Sequence, residues 1–280
     1  MRDYERYIRY ETFPNPWCPG CGDGIILKAT AMAFADLDLD PDDIIVVAGI
    51  GCSGRIPTFF RTNTLHTTHG RALTYATGIK LAQPDKLVVV ISGDGDALAI
   101  GGNHLIHAAR RNIGINLILI NNGVYGMTGG QASPLTPQLF HTGTTPFGNI
   151  EPRFDTVDLL IAAKVSFVAR ETVNRPFPLR EVIKKALQHK GFSVVEAISN
   201  CHVNLGSKNK MKTALAMTKW IAEKTVTKAE YAELSEEEKE HKYPVGVLKQ
   251  EDERLEYTEI YHNVVRAAVE AQRRAEGRAR

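Results

Sequence analysis

Two short apolar runs, Lys86–Ser92 and Asn116–Ile120, each end in a polar signature, Gly93-Asp94-Gly95-Asp96 after the first and Asn121-Asn122 after the second. No other feature constrains the fold as tightly. A short apolar run that ends in glycine or asparagine reads as a buried strand. Between the two runs, Ala99–Arg111 has the apolar spacing of a helix. Strand, helix and strand of these lengths make a βαβ unit, so the fold class is α/β with a parallel sheet and helices on its faces. Both signatures then stand at the carboxyl ends of strands, where parallel sheets bind ligands. Glycines there let the backbone approach a phosphate, and Asp94 can hold a hard cation. Gly101-Gly102 would open the helix, whose free N–H groups favour an anionic diphosphate. Magnesium takes an octahedron of oxygens. Asp94, the Asn122 amide and the Val124 carbonyl offer three, and a diphosphate and water would supply the rest. Either signature alone reads as a tight turn. Their spacing of roughly twenty-five residues and their strand-end placement together point to a nucleotide-like diphosphate site.

The rest of the chain continues the alternation. An N-terminal arm with Pro14, Pro16 and Pro19 reads as extended, and Asp23 is placed to cap a helix over Gly24–Phe34. Asp40-Pro41-Asp42-Asp43 is a turn, Ile44–Ile50 a buried strand, Gly51–Thr68 a loop and Gly70–Leu81 a helix. Gly123–Pro152 has no periodicity, and a loop that long inside a domain is usually functional. Asp158–Lys164 and Leu179–Gln188 read as helices, Val165–Ala169 and Ser193–Ile198 as strands. Residues 1–206 therefore form one α/β domain. Residues 207–280, rich in Lys, Glu and Ala, read as a helical C-terminal extension broken near Tyr243-Pro244-Val245-Gly246. The arginine-rich end reads as a solvated helix terminus.

A net charge of +2 gives no argument for a nucleic-acid or membrane partner, and no apolar run is long enough to span a bilayer. The start, Met1-Arg2-Asp3-Tyr4-Glu5-Arg6, lacks the apolar segment of a secretory signal. The expectation is a cytoplasmic, reducing compartment, where cysteines serve as ligands more readily than as disulfides. There are four. Cys18 and Cys21 form a CPGC turn, while Cys52 and Cys201 each follow a strand end. A thioredoxin-like pair is excluded because the CxxC follows no strand. Four thiolates suit a [4Fe–4S] cluster or a structural zinc, and their number and spacing leave both open.

The GDG and NN pair resembles the motif of the thiamine diphosphate enzymes. Longer stretches carry the likeness further: Gly49–Arg55 (GIGCSGR), His66–Ala72 (HTTHGRA), Gly93–Ala97, Gly101–His104 and Asn121–Gln131 (NNGVYGMTGGQ) resemble the β subunits of 2-oxoacid:ferredoxin oxidoreductases, the 2-oxoglutarate branch most of all. The resemblance covers residues 10–205 well and the tail loosely. It implies a thiamine diphosphate-binding domain with Mg2+ on Asp94, Asn122 and the Val124 carbonyl. It also implies one [4Fe–4S] cluster on Cys18, Cys21, Cys52 and Cys201, since electrons leaving the thiamine site need an acceptor and zinc is none. Gly51, Ser53, Gly54, His69, Gly70, Gly93, Gly95, Asp96, Tyr125, Gly126, Met127 and Thr128 would line the cofactor. The one departure is Asn200, where the family often has proline before the last cysteine.

The implied reaction is oxidative decarboxylation of 2-oxoglutarate with coenzyme A to succinyl-CoA and CO2, with electrons passing singly through the cluster to ferredoxin. Pyruvate or another 2-oxoacid as substrate, a non-redox thiamine decarboxylase, and a subunit that binds no cofactor are the alternatives. Thiamine enzymes of this kind take a glutamate from a second domain, and this chain offers only one α/β unit, so a partner α subunit should complete the site. Arg55 and His69 are the catalytic candidates. A guanidinium at Arg55 would grip the distal carboxylate bidentately, with Arg61 and Arg71 as weaker choices. His104 and His107, at helical spacing among apolar residues, read as packed.

Overall fold

The computed structural model describes residues 3–278. Met1 and Arg2, part of the start read for a secretory signal, and Ala279 and Arg280 of the arginine-rich end lie outside the described residues. The frame is built from β1 (Ile44–Ala48), β2 (Asn63–His66), β3 (Leu87–Gly93) and β4 (Ile115–Asn121). A small ribbon, β5 (Val124–Tyr125) and β6 (Gln131–Ala132), precedes β7 (Phe167–Thr172), β8 (Ser193–Ile198), β9 (Thr225–Thr227) and β10 (Tyr243–Gln250). The main sheet has the order β2-β1-β3-β4-β8-β7-β10-β9. Neighbours are parallel except β7 and β10.

The helices of the α/β part are α1 (Asp23–Asp36), α2 (Ala72–Ala82), α3 (Gly102–Arg111), α4 (Thr156–Ala162) and α5 (Pro176–Gln188). Alternate strand residues face opposite layers. Val89, Ile91, Ile118 and Ile120 pack with α1 and α5. Val88, Val90, Leu117 and Leu119 pack with α2, α3 and α4. Each buried Val, Ile or Leu side chain contributes about 1.5–3 kcal/mol, so strands buried on both sides are the stable way to use such runs. The chain leaves β1 toward β2 on one side and β3 toward β4 on the other. The winding thus reverses between β1 and β3, the place where open α/β sheets form a crevice.

Four expectations need correction. Gly51–Thr68 is not all loop: Ser53–Phe59 is a 3-10 turn and β2 an edge strand, whose exposed, polar sequence Asn-Thr-Leu-His gives no apolar signal. The helix expected from Ala99 begins at Gly102, because a π turn over Gly95–Ile100 comes first. Asp23 does not cap α1; Gly22 holds the cap position and the Asp23 carboxyl is buried in the first turn. The break expected at Tyr243–Gly246 is the start of β10, antiparallel to β7. Pro244 lies where β10 meets only the short β9, and Gly246 is at φ +108° near a bulge. The remainder beyond 207 is α6 (Ala214–Lys224), α7 (Lys228–Ala232), α8 (Glu236–Lys239) and α9 (Tyr257–Arg278).

One buried ion network ties this frame together. Arg170, 2% exposed, donates from Nε to Glu196 at 2.7 Å and from a terminal nitrogen to Asp155 at 3.1 Å. Asp155 caps α4, and Glu196 also accepts from the Asn121 amide at 2.7 Å. The network thus fixes the residue next to Asn122. Arg170→Met would leave Glu196 buried without its cation, which costs about 3–5 kcal/mol. A urea unfolding midpoint should fall accordingly; a loss below about 1 kcal/mol would contradict this role.

Candidate active site

The carboxyl ends of β1 and β3 open onto a cleft of about 130 Å³. Gly51, Cys52, Ser53, His69, Gly93, Asp94, Gly95, Asp96, Asn122, Val124 and Tyr125–Thr128 line it. The structure therefore gathers most of the expected cofactor residues in one place. Three stay outside the lining. Gly54 is packed on backbone, since a Cβ there would lie 2.3 Å from the Gly49 carbonyl oxygen. Gly70, at φ +71°, turns the chain and donates its N–H to Asp96. Arg55 is exposed on the 3-10 turn. Of the weaker choices, Arg61 pairs with Glu11, and Arg71 bonds His104 and the Ile100 carbonyl. Gly101-Gly102 is also away from the cleft. The Gly101 N–H is already bonded to the Asp96 carbonyl, so the free N–H groups nearest the cleft belong to the π turn after Asp94.

Asp96, 2% exposed, uses its carboxylate to hold the cleft together. Oδ1 accepts from Ile50 N at 3.2 Å, Gly70 N at 2.7 Å and His69 Nδ1 at 2.5 Å, and Oδ2 accepts from Ser92 Oγ at 2.5 Å. A Cβ at Gly49 would fall 1.8 Å from that carboxylate, so this approach requires glycine. With its Nδ1–H donated to Asp96, His69 has Nε2 as the nitrogen available to the cleft. In sequence Asp96 reads as part of the cofactor lining; nothing there shows that this carboxylate ties three stretches of chain together.

Asp94 differs in what surrounds it. It is 2% exposed, Ser133 Oγ donates to its Oδ2 at 2.6 Å, and no Lys, Arg or His pairs with it among the described residues. Burial pushes its carboxyl up to about 7, against the pull of hydrogen bonds from Ser133 and the Gly95 backbone. Asn122 and Val124 line the same cleft, with the Val124 N–H donating to Asn122 Oδ1 at 3.1 Å. A buried carboxylate lacking a cation, beside the Asn122 amide and the Val124 backbone, suits a divalent ion. Tyr125 closes the wall: its hydroxyl donates to the Gly95 carbonyl at 3.0 Å, and a Cβ at Gly95 would strike its ring.

The four cysteines are free thiols around one end of this cleft. A Cβ on Gly126 would be 3.5 Å from the sulfurs of both Cys52 and Cys201, so those sulfurs are within about 7 Å of one another. Trp17 Nε1 donates to the Cys52 carbonyl at 2.9 Å, and Asn200 Nδ2 to the Gly20 carbonyl at 2.9 Å. These bonds dock the CPGC turn against both strand-end cysteines. Asn200, the departure from the family's proline, is thus one of the ties. Burial raises the Cys21 and Cys201 thiols and pushes Cys52 up to about 11, so only a coordinated metal would hold them as thiolates. Among the described residues, no three His, Cys, Asp or Glu side chains close tightly enough to chelate a single ion. Asp23, missed as a site residue, stands near the thiols of Cys21, Cys52 and Cys201 and near Asp94. It is 1% exposed, neither oxygen has a hydrogen-bond partner, and burial followed by the Asp94 charge pushes it up to about 7.

Residues 49–197 match the family model described as "Thiamine pyrophosphate enzyme, C-terminal TPP binding domain". The 2-oxoglutarate synthase subunit KorB of Methanothermobacter thermautotrophicus is 46% identical over 243 residues, 87% of this chain and 85% of that protein. That of Methanocaldococcus jannaschii is 44% identical over 260 residues, 93% and 96% of the two chains. A solved 2-oxoglutarate:ferredoxin oxidoreductase from Magnetococcus marinus, with 2-oxoglutarate, coenzyme A and succinyl-CoA bound, superposes with a TM-score of 0.85 at 30% identity. The match covers 96% of this chain and 91% of that one.

Asp94 also sets a pH dependence. Its carboxyl ionises near 4 in an unfolded chain and near 7 in the cation-free fold. The fold therefore loses stability as pH rises between those values, and a divalent ion at Asp94 must displace a proton below about 7. Magnesium with thiamine diphosphate should raise the melting temperature more at pH 8 than at pH 6, and Asp94→Asn should flatten that difference. An equal or larger increment at pH 6 in the unaltered chain would contradict it.

Proposed function

This chain belongs to the β subunits of the 2-oxoacid:ferredoxin oxidoreductases, and from that membership we propose that it catalyses the oxidative decarboxylation of 2-oxoglutarate with coenzyme A, yielding succinyl-CoA and CO2. The observation that carries the reading is the convergence of four thiols on the Asp94 cleft, with Cys52 in the lining of the cleft itself. Thiamine diphosphate supplies an electron sink for loss of CO2 from a 2-oxoacid. In this reading Asp94, the Asn122 amide and the Val124 carbonyl hold magnesium against its diphosphate. Gly93 and Gly95 let the backbone approach, and Tyr125–Thr128 cover it. His69, held by Asp96, presents Nε2 to the reacting end. Arg55, exposed beside the Cys52-Ser53-Gly54 turn, is the candidate for the distal carboxylate of 2-oxoglutarate.

Cys18, Cys21, Cys52 and Cys201 are assigned to one [4Fe–4S] cluster. The irons of a cubane stand between the thiolates, whereas one zinc draws its sulfurs to about 2.3 Å from a single point. The thiamine reading favours the cubane, because electrons leaving that site need an acceptor and zinc cannot take them. Among the described residues there is no second α/β unit to present a carboxylate to the cofactor's far ring. A partner α subunit therefore completes the site, and ferredoxin takes the electrons. No helix is long and apolar enough to cross a membrane, and a cytoplasmic setting is proposed on the cysteine chemistry.

The test is purification with the partner subunit, followed by coenzyme A-dependent reduction of a viologen dye with a panel of 2-oxoacids. 2-Oxoglutarate should be the preferred substrate, and Asp94→Ala should remove the activity. Activity with pyruvate alone would overturn the substrate and the Arg55 role; reduction with no 2-oxoacid would overturn the whole reading.

A further inference from the structure

The cysteine group has two sides. Cys52 lines the cleft, while Cys18 is exposed on the outer surface. The chain that follows Cys201 builds that outer side. Leu205 N and Gly206 N both donate to the Cys201 carbonyl at 3.0 Å, folding the 3-10 turn Gly206–Asn209 back onto the cysteine. The start of α6 then abuts the CPGC turn: a Cβ on Gly20 would lie 2.7 Å from Ala214 Cβ.

This segment has an unusual charge pattern. From Ser199 to Ala222 there is no Asp or Glu, in a chain that holds 32 acidic residues. Lys208, Lys210, Lys212 and Lys219 are exposed, and none of them forms an ion pair among the described residues. Elsewhere some surface lysines, such as Lys86, Lys184 and Lys190, are paired with carboxylates while Lys164 and Lys185 are not, so the distinction of this segment is four unpaired lysines with no acidic residue between them in the chain. The same stretch of chain carries two exposed apolar side chains, Val203 at 46% and Leu215 at 65%. A few exposed apolar side chains with charge of one sign suit a brief, steered encounter between proteins of opposite charge.

We propose that this surface, Lys208, Lys210, Lys212 and Lys219 with Val203 and Leu215 beside Cys18, is the docking face for an acidic one-electron carrier protein of the ferredoxin type. The proposal rests on the iron–sulfur reading of the four cysteines and adds the place where the electron leaves. The cleft side of the cluster takes up an electron and the lysine side gives it out. In the transfer the reduced cluster loses one electron, the carrier's iron–sulfur centre gains it, and no bond or proton moves.

The test uses the complete complex with its partner subunit, assayed with 2-oxoglutarate and coenzyme A. Two acceptors are compared: an acidic ferredoxin, and methyl viologen, a small cation that needs no docking face. The triple variant K208E/K210E/K212E should lower kcat/KM for ferredoxin by about tenfold or more and flatten its dependence on ionic strength, with the viologen rate unchanged. K219E should act in the same direction, and K185E, on an exposed lysine near the far end of α5, should change neither acceptor. Unchanged ferredoxin kinetics in the triple variant, with normal dye reduction, would overturn the docking face alone. Equal losses with both acceptors would overturn it too, since the lysines would then be acting on the fold or assembly. A wild-type complex that reduces dye with no 2-oxoacid would remove the functional reading, and the face with it.

Discussion

The Asp96 carboxylate accepts four hydrogen bonds at the gap between β1 and β3, from Ile50 N, Gly70 N, His69 Nδ1 and Ser92 Oγ. Those donors belong to three separate stretches: the end of β1, the turn before α2, and β3 itself. A buried carboxylate is costly unless its lone pairs are satisfied, so the chain cannot move one of these stretches without stranding the others' acceptor. The Cys52 loop follows directly from Ile50, and Asp94 follows directly from β3. The spacing between the thiol group and the cation site therefore depends on this one side chain.

Much of this was legible in the sequence, and the misses have physical reasons. Ser193–Ile198 was read as a strand and is one residue for residue, because an apolar run buried on both faces has no competing explanation. β2 and β10 were missed because each has a weak apolar signature: one is an exposed edge, and the other contains Pro244 and Gly246. The GDG and NN signatures marked the cleft correctly because both are glycine or amide clusters at strand ends. Local pattern assigned Asp94 to the cation and Asp96 to the cofactor lining, but it could not show what surrounds either carboxylate. Asp94 and Asp96 are alike in sequence, yet one has no cation and the other is saturated with donors. Asp23 had the spacing of a helix cap, but only the tertiary packing shows it buried among the thiols.

The arrangement fits the proposal that a partner subunit completes the site. One side of the cysteine group faces the cleft and the other faces a surface rich in unpaired lysines. The cleft has the wall proposed to hold the diphosphate and cation and, among the described residues, no carboxylate from a second α/β unit at its other end. Backbone ties from Trp17 and Asn200 hold the N-terminal turn in register with strands whose ends lie over a hundred residues away in the chain. The site is thus assembled by long-range contacts, while each of its parts is recognisable locally.

The most direct test of the central claim is metal and sulfide analysis of the anaerobically purified chain, with electron paramagnetic resonance after dithionite reduction. The account predicts one cubane's complement of iron and acid-labile sulfide per chain and a half-spin signal that vanishes when Cys201 is replaced by serine. Stoichiometric zinc with no such signal, or a signal that survives loss of Cys201, would contradict it.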